Sequence, residues 1–216
     1  TERMLGYMGV SLQRNGESIT IKPLEKDFEG RDISVPADIS SAAFFMVAAL
    51  INPGSEVLIR NVGVNPLRTG VIDILKDMGG DISLLDEREV SGEPVADILV
   101  KSSALKGVTI GGALIPRAID ELPVIAAAAA YAEGTTVIKD AAELRVKETD
   151  RIEDGMSITG KERLSGAACE SWGDHRIAMA VAVAASRAEG ETEIDDAEAV
   201  AVSFPEFFDV LRGLRS

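Results

Sequence analysis

The stretch Phe44-Phe45-Met46-Val47-Ala48-Ala49-Leu50-Ile51, Pro53-Gly54-Ser55, Val57-Leu58-Ile59 reads as an apolar helix, a tight turn and a strand. Eight apolar residues in succession leave no polar face, so this helix belongs inside the protein. Glycine supplies the left-handed residue that ends it, and β-branched residues then take up the strand. The same grammar returns as Pro123-Val124-Ile125-Ala126-Ala127, Glu133-Gly134-Thr135-Thr136, Val137-Ile138. It returns again as Ile177-Ala178-Met179-Ala180-Val181-Ala182, Glu189-Gly190-Glu191-Thr192. Each copy leads into a second helix-like segment, at residues 66–78, from 146 onward, and at 204–214.

Three copies of one unit predict an α/β domain with pseudo-threefold repeats and buried helices. The copies are unequal. The turn glycines stand at 54, 134 and 190, so the second interval is the shorter. In the first copy the second helix runs through Ile72 and Leu75 to Met78-Gly79-Gly80 and a strand, Asp81-Ile82-Ser83-Leu84-Leu85. In the second copy residues 145–152 start a helix, then meet Glu153-Asp154-Gly155 almost at once. The rest of that helix and its strand are expected to be absent. Residues 1–35 read differently: Met4-Leu5 and Met8 close a helix, and Asn15-Gly16 turns a hairpin into Ile19-Thr20-Ile21. That is too little to fold alone. The expectation is a terminal piece of another domain at 1–35 and a second domain, short of that helix and strand, at 36–216.

Composition narrows the function. Hydrophobic residues make up 46% of the 216, which excludes a disordered chain. Aromatics make up 4%, too few for a base-stacking groove. The net charge of −14 argues against general affinity for nucleic acid or for an anionic membrane. The apolar run at 124–132 is shorter than a bilayer span. One cysteine, Cys169, allows no intrachain disulfide and reads as a small buried hydrophobe. No signal peptide is recognised at the start, and a cytoplasmic location is expected.

Four segments carry candidate chemistry. Asp38 or Ser40 can cap the first apolar helix, whose N-terminus favours an anion. Asp120-Glu121 stands at the entrance of the second, where partial desolvation raises a carboxylate pKa; helix capping ahead of Pro123 is the alternative. Lys147 and Arg151 share one face of a helical turn, with Glu148 beside both. That pattern suits an anion held next to an acid/base group, or a solvated charged face. Asp174 can cap the third apolar helix. Arg176 then lies in the first turn, opposing the dipole but well placed to grip an anion. His175 is the only histidine and has no partner at metal-ligand spacing, so no metal site is expected. No phosphate-cradling or dinucleotide glycine motif is present.

Six segments together resemble the EPSP synthase family of enolpyruvyl transferases: residues 35–45 (VPADISSAAFF), 65–70 (NPLRTG), 119–123 (IDELP), 145–151 (RVKETDR), 174–179 (DHRIAM) and 203–207 (SFPEF). Their order and spacing are those of the family's C-terminal half. The resemblance implies an inside-out α/β barrel domain, a second such domain, and an active site in the cleft between them. It implies transfer of the enolpyruvyl group of phosphoenolpyruvate to the 5-hydroxyl of shikimate 3-phosphate, in the shikimate pathway that glyphosate blocks, with no cofactor. It also implies roles: Asp120 contacts shikimate hydroxyls and relays a proton; Glu148 moves a proton at the phosphoenolpyruvate methylene; Lys147 binds the shikimate side; Arg151 and Arg176 clamp phosphoenolpyruvate. Glu143 stands where some members contact shikimate with Asn, and Val202 where some have a phosphoenolpyruvate-binding Lys. The N-terminal half of the enzyme is the implied partner, with neither nucleic acid nor membrane involved. The amino-sugar enolpyruvyl transferases and a non-catalytic binding fragment are the alternatives.

Overall fold

A computed structural model describes residues 1–24, 27, 30–142 and 155–214 of the chain. Helix α1 (Glu2–Tyr7) and the hairpin β1 (Leu12–Asn15), β2 (Ser18–Ile21) come first. The first unit is α2 (Ile39–Ile51), β3 (Glu56–Gly63), α3 (Gly70–Asp77), β4 (Asp81–Val90) and β5 (Glu93–Lys101). The second is β6 (Thr109–Ile110), α4 (Ile115–Ala118), α5 (Leu122–Ala130), β7 (Thr135–Lys139) and β8 (Gly155–Thr159). The third is β9 (Ala168–Glu170), α6 (His175–Ala185), β10 (Glu193–Asp195), a 3-10 turn (Ala197–Val202) and α7 (Phe207–Gly213).

The three apolar helices α2, α5 and α6 touch one another and form the core. Every residue of α2 except Ser41 is buried, as a helix without a polar face requires. The sheets lie outside. β7 alternates exposed and buried along its length, and β3 alternates exposed and half-buried over most of its own, each with one face toward the helices and one toward water. β5 is the centre of an antiparallel sheet ordered β3-β5-β4. The hairpin between β4 and β5 turns through Ser91 and Gly92, both with positive φ, the conformation that follows the strand twist. Gly54, Gly134 and Gly190 take φ of +79°, +87° and +87°, so the three predicted helix stops share one geometry.

The repeat unit starts one strand earlier than its sequence shows. β6 runs parallel to β7 and β9 parallel to β10, each pair flanking its buried helix. In the first unit the same strand is reduced to the single parallel bridge between Ala37 and Val62. The approach is close at equivalent places. A Cβ on Gly107 would lie 2.4 Å from the Thr135 carbonyl, and one on Gly166 would lie 2.0 Å from that of Glu191.

The shortfall of the second unit is measurable. Residues 64–92 separate β3 from β5 and hold α3, 8 residues long, and β4, 10 residues long. Only residues 140–154 separate β7 from β8, too few for a helix and a strand of those lengths. β8 pairs antiparallel with β7 as β5 does with β3, so β8 is the counterpart of β5.

Several boundaries moved. The second helix of the first unit begins at Gly70 rather than 66, after a turn through residues 66–69. α7 begins at Phe207, because Pro205 and the turn before it occupy the expected start. Residues 203–207 supply packing: Phe204, Phe207 and Phe208 join Phe44 and Phe45 of α2 in a cluster with ring centroids 5.4–6.0 Å apart. Cys169 is half-buried on β9 rather than fully buried. α1 has no buried residue and β2 is exposed throughout.

The C-terminal ends of the core helices are closed by side chains. The Arg187 guanidinium donates to the Ile51 carbonyl at 2.8 Å and lies 4.9 Å from the Tyr131 ring centroid. Tyr131 donates in turn to the Ala184 carbonyl at 2.7 Å. The cation thus serves the negative end of α2, and the Tyr131 hydroxyl beneath it serves that of α6.

Candidate active site at the converging helix N-termini

The opposite ends of α2, α5 and α6 meet at one face. Ser40, second in α2, donates its hydroxyl hydrogen to Glu121, the residue before α5. Arg176, second in α6, donates from Nη1 to the Asp120 carbonyl at 3.2 Å, and its Nη2 stands 3.8 Å from Asp120 Oδ2. Arg68 Nη2 donates to Ser40 Oγ at 3.0 Å. Three positive helix ends and two guanidinium groups therefore share one small region. Among the described residues the buried polar side chains are Ser40, Glu121, Thr136, Ser171 and Asp174, and three of these five stand at the helix starts.

Two helices are capped as their sequences predict. Asp38 accepts from the Ser41 amide at 3.0 Å. Asp174, fully buried, accepts from the Arg176 amide at 2.8 Å. The turn before α6 is wound to make this possible. Trp172 and Gly173 take φ of +51° and +69°, and Ser171 Oγ donates to the Asp195 carbonyl at 2.9 Å. A left-handed tryptophan costs about 1–2 kcal/mol, so the surrounding turn holds local strain beside the candidate site.

The structure brings Asp120 and Arg176 together, 56 residues apart in sequence, with side chains 26% and 18% exposed. They remain open to one face while their backbone is fixed. Glu143, Lys147, Glu148 and Arg151 lie outside the described residues. Val202 is 88% exposed at the end of its 3-10 turn. Of the two carboxylates at the α5 entrance, Glu121 is the desolvated one, at 2% exposure. Burial pushes its carboxyl above the ordinary glutamate value; the Ser40 hydroxyl, Arg176 and Arg68 oppose that rise, and Asp120 adds to it. Glu121 does not cap α5, and Pro123 sits at the second helical position rather than the first.

Ser40 and Arg68 were not recognised as part of this face from sequence. Ser40 read as a possible cap, and Arg68 as one letter of the NPLRTG segment. No group of three or more His, Cys, Asp or Glu able to hold a metal ion occurs among the described residues. No described helix is long and apolar enough to cross a membrane.

The fold and this face define a class: an α/β domain of three repeats whose buried helices point their N-termini at one anion-favouring surface. The EPSP synthase (3-phosphoshikimate 1-carboxyvinyltransferase) family model matches residues 1–211. A 3-phosphoshikimate 1-carboxyvinyltransferase of Geobacter sulfurreducens is 57% identical over 228 residues, covering 98% of this chain and 53% of that protein. The enzyme of Syntrophotalea carbinolica is 57% identical over 232 residues, covering 100% and 54%. An EPSP synthase structure from Acinetobacter baumannii superposes with a TM-score of 0.94 at 43% identity, over 99% of this chain and 54% of that one. The chain belongs to the EPSP synthase family. It spans about half the length of the curated relatives it matches. The alignment with the Geobacter protein is longer than this chain, so that relative has residues with no counterpart here.

Proposed function

We propose that this chain supplies the C-terminal half of the active site of a 3-phosphoshikimate 1-carboxyvinyltransferase. The observation that carries the reading is the contact of Arg176 with Asp120 where the three helix N-termini meet. Both substrates are anions, and a face of positive helix ends with a guanidinium is built to take one. In the reaction the 5-hydroxyl oxygen of shikimate 3-phosphate bonds to C2 of phosphoenolpyruvate while C3 gains a proton. The tetrahedral adduct then loses a proton from its C3 methyl group and inorganic phosphate from C2. Arg176 and Arg151 would hold phosphoenolpyruvate; Asp120 would accept the hydroxyl proton; Glu148 would serve C3; Lys147 and Glu143 would face the shikimate side. The domain proper would be 36–216, with 1–35 completing the other half of a cytoplasmic enzyme. Closure of that half would exclude water and align the reactants.

The acceptor tests the assignment. Phosphate release is measured for this chain joined with the N-terminal half of a relative, with phosphoenolpyruvate and either shikimate 3-phosphate or an N-acetylglucosamine nucleotide. Release with the first acceptor alone is expected. Release with the second would move the chain to the amino-sugar enzymes, and release with neither would leave a binding fragment.

A further inference from the structure

Residues 65–70 receive no role in the proposed reaction, yet the loop is built tightly. Asn65 Oδ1 accepts from the Leu67 amide and its Nδ2 donates to Glu93, both at 3.1 Å. Arg117 of α4 donates to the Pro66 carbonyl at 2.8 Å and to the Asp73 carboxylate at 2.7 Å. A Cβ on Gly70 would lie 2.9 Å from Arg117 backbone atoms, so a glycine lets the loop come this close. What the docked loop delivers is Arg68. Its guanidinium donates to Ser40, and Ser40 donates onward to Glu121. Ser40 and Glu121 are 3% and 2% exposed. A buried carboxylate requires a counter-charge, and Arg68 reaches this one through a single hydroxyl. The chain of contacts ties the start of α2 to the start of α5. Glu121 follows Asp120 directly, and the Asp120 carbonyl is what Arg176 holds.

We propose that Arg68, at the surface, reaches through the buried Ser40 hydroxyl to the buried Glu121 carboxylate as a hydroxyl-bridged ion pair that positions Asp120 and, through it, the Arg176 guanidinium at the cleft face. All three are positioning residues. The inference depends on the proposed reaction only in giving Arg176 a substrate, so its first two readouts need no turnover. The first is a double-mutant cycle on this chain by urea unfolding at about pH 8, using Arg68→Met, Glu121→Gln and the pair. Arg68→Met is expected to lower the folding equilibrium constant about tenfold, since it strands the buried Glu121 carboxylate, and Glu121→Gln by less, since it leaves only the exposed Arg68 without its partner. The double change should fall short of the product of the two by about fivefold or more. Independent, multiplying losses overturn the network.

The second readout is the Arg176 Nε–H resonance by NMR. Glu121→Gln, which is isosteric, and Ser40→Ala should shift it, while Ser40→Thr, which keeps the hydroxyl, should leave it in place. An unmoved resonance in Glu121→Gln overturns the positioning role even where the cycle is coupled. In the assembled enzyme Glu121→Gln should raise KM for phosphoenolpyruvate about tenfold and lower kcat as well, because Arg176 and Asp120 are both displaced. An unchanged KM in an active assembly overturns the inference. A wild-type assembly without turnover counts against the proposed function alone.

Discussion

Removing the Asp174 carboxylate tests how the cleft face is held. Asp174 is fully buried and accepts from the Arg176 amide at 2.8 Å and, more weakly, from Ile177 at 3.4 Å. Asp174→Ala deletes an N-cap, which costs about 1–2 kcal/mol. It also strands a buried donor, adding about 1 kcal/mol. The expected loss is about 2–3 kcal/mol, or roughly 4–12 °C in Tm for a chain of this size. Asp174→Asn keeps an acceptor of the same shape and should lose about 0.5 kcal/mol. The assay is urea unfolding followed by far-ultraviolet circular dichroism and by the fluorescence of Trp172. Trp172 is the chain's single tryptophan, two residues from the cap and 65% exposed, so its emission reports on this turn. A loss under about 0.5 kcal/mol for the alanine variant, equal to that for asparagine, would refute the argument that the cap fixes the start of α6.

Other outcomes follow from the same geometry. Gly107→Ala and Gly166→Ala place a Cβ against equivalent carbonyls, so each should cost about 3 kcal/mol or more in denaturant unfolding; a neutral result at either would break the equivalence of the second and third units. Thr136 has a buried hydroxyl with no partner among the described residues, so Thr136→Val should be neutral or stabilise by about 1 kcal/mol in the same measurement. Glu121 has a carboxyl pKa raised above its ordinary 4.5, so the folded state holds that proton more tightly than the unfolded chain. Its contribution is fully present below 4.5 and is lost as pH rises toward the folded value. Stability measured across that window should therefore fall more steeply in wild type than in Glu121→Gln.

Much of the fold is readable because its helices carry an unambiguous signal. An uninterrupted apolar run such as residues 44–51 has one physical home, the interior, and three such runs followed by glycine turns announce a repeat. Asp38 and Asp174 were legible as caps because capping is local. The strands that begin each unit were not. β6 has two residues and β9 three, too short to show an alternating pattern. The contact of Ser40 with Glu121 spans 81 positions, and that of Arg68 with Ser40 spans 28, so no local rule connects them. At the α5 entrance the sequence offered two adjacent carboxylates, and only packing shows that Glu121 turns inward while Asp120 stays open to Arg176.

The central claim is that this chain carries one half of a split active site. It is tested most directly by phosphate release from shikimate 3-phosphate and phosphoenolpyruvate, with the chain alone, with the N-terminal half of a relative added, and with Arg176→Ala in the mixture. Release only in the mixture, reduced at least about a hundredfold by Arg176→Ala, is the predicted result. Release by the chain alone, or undiminished release by the Arg176→Ala mixture, would contradict it.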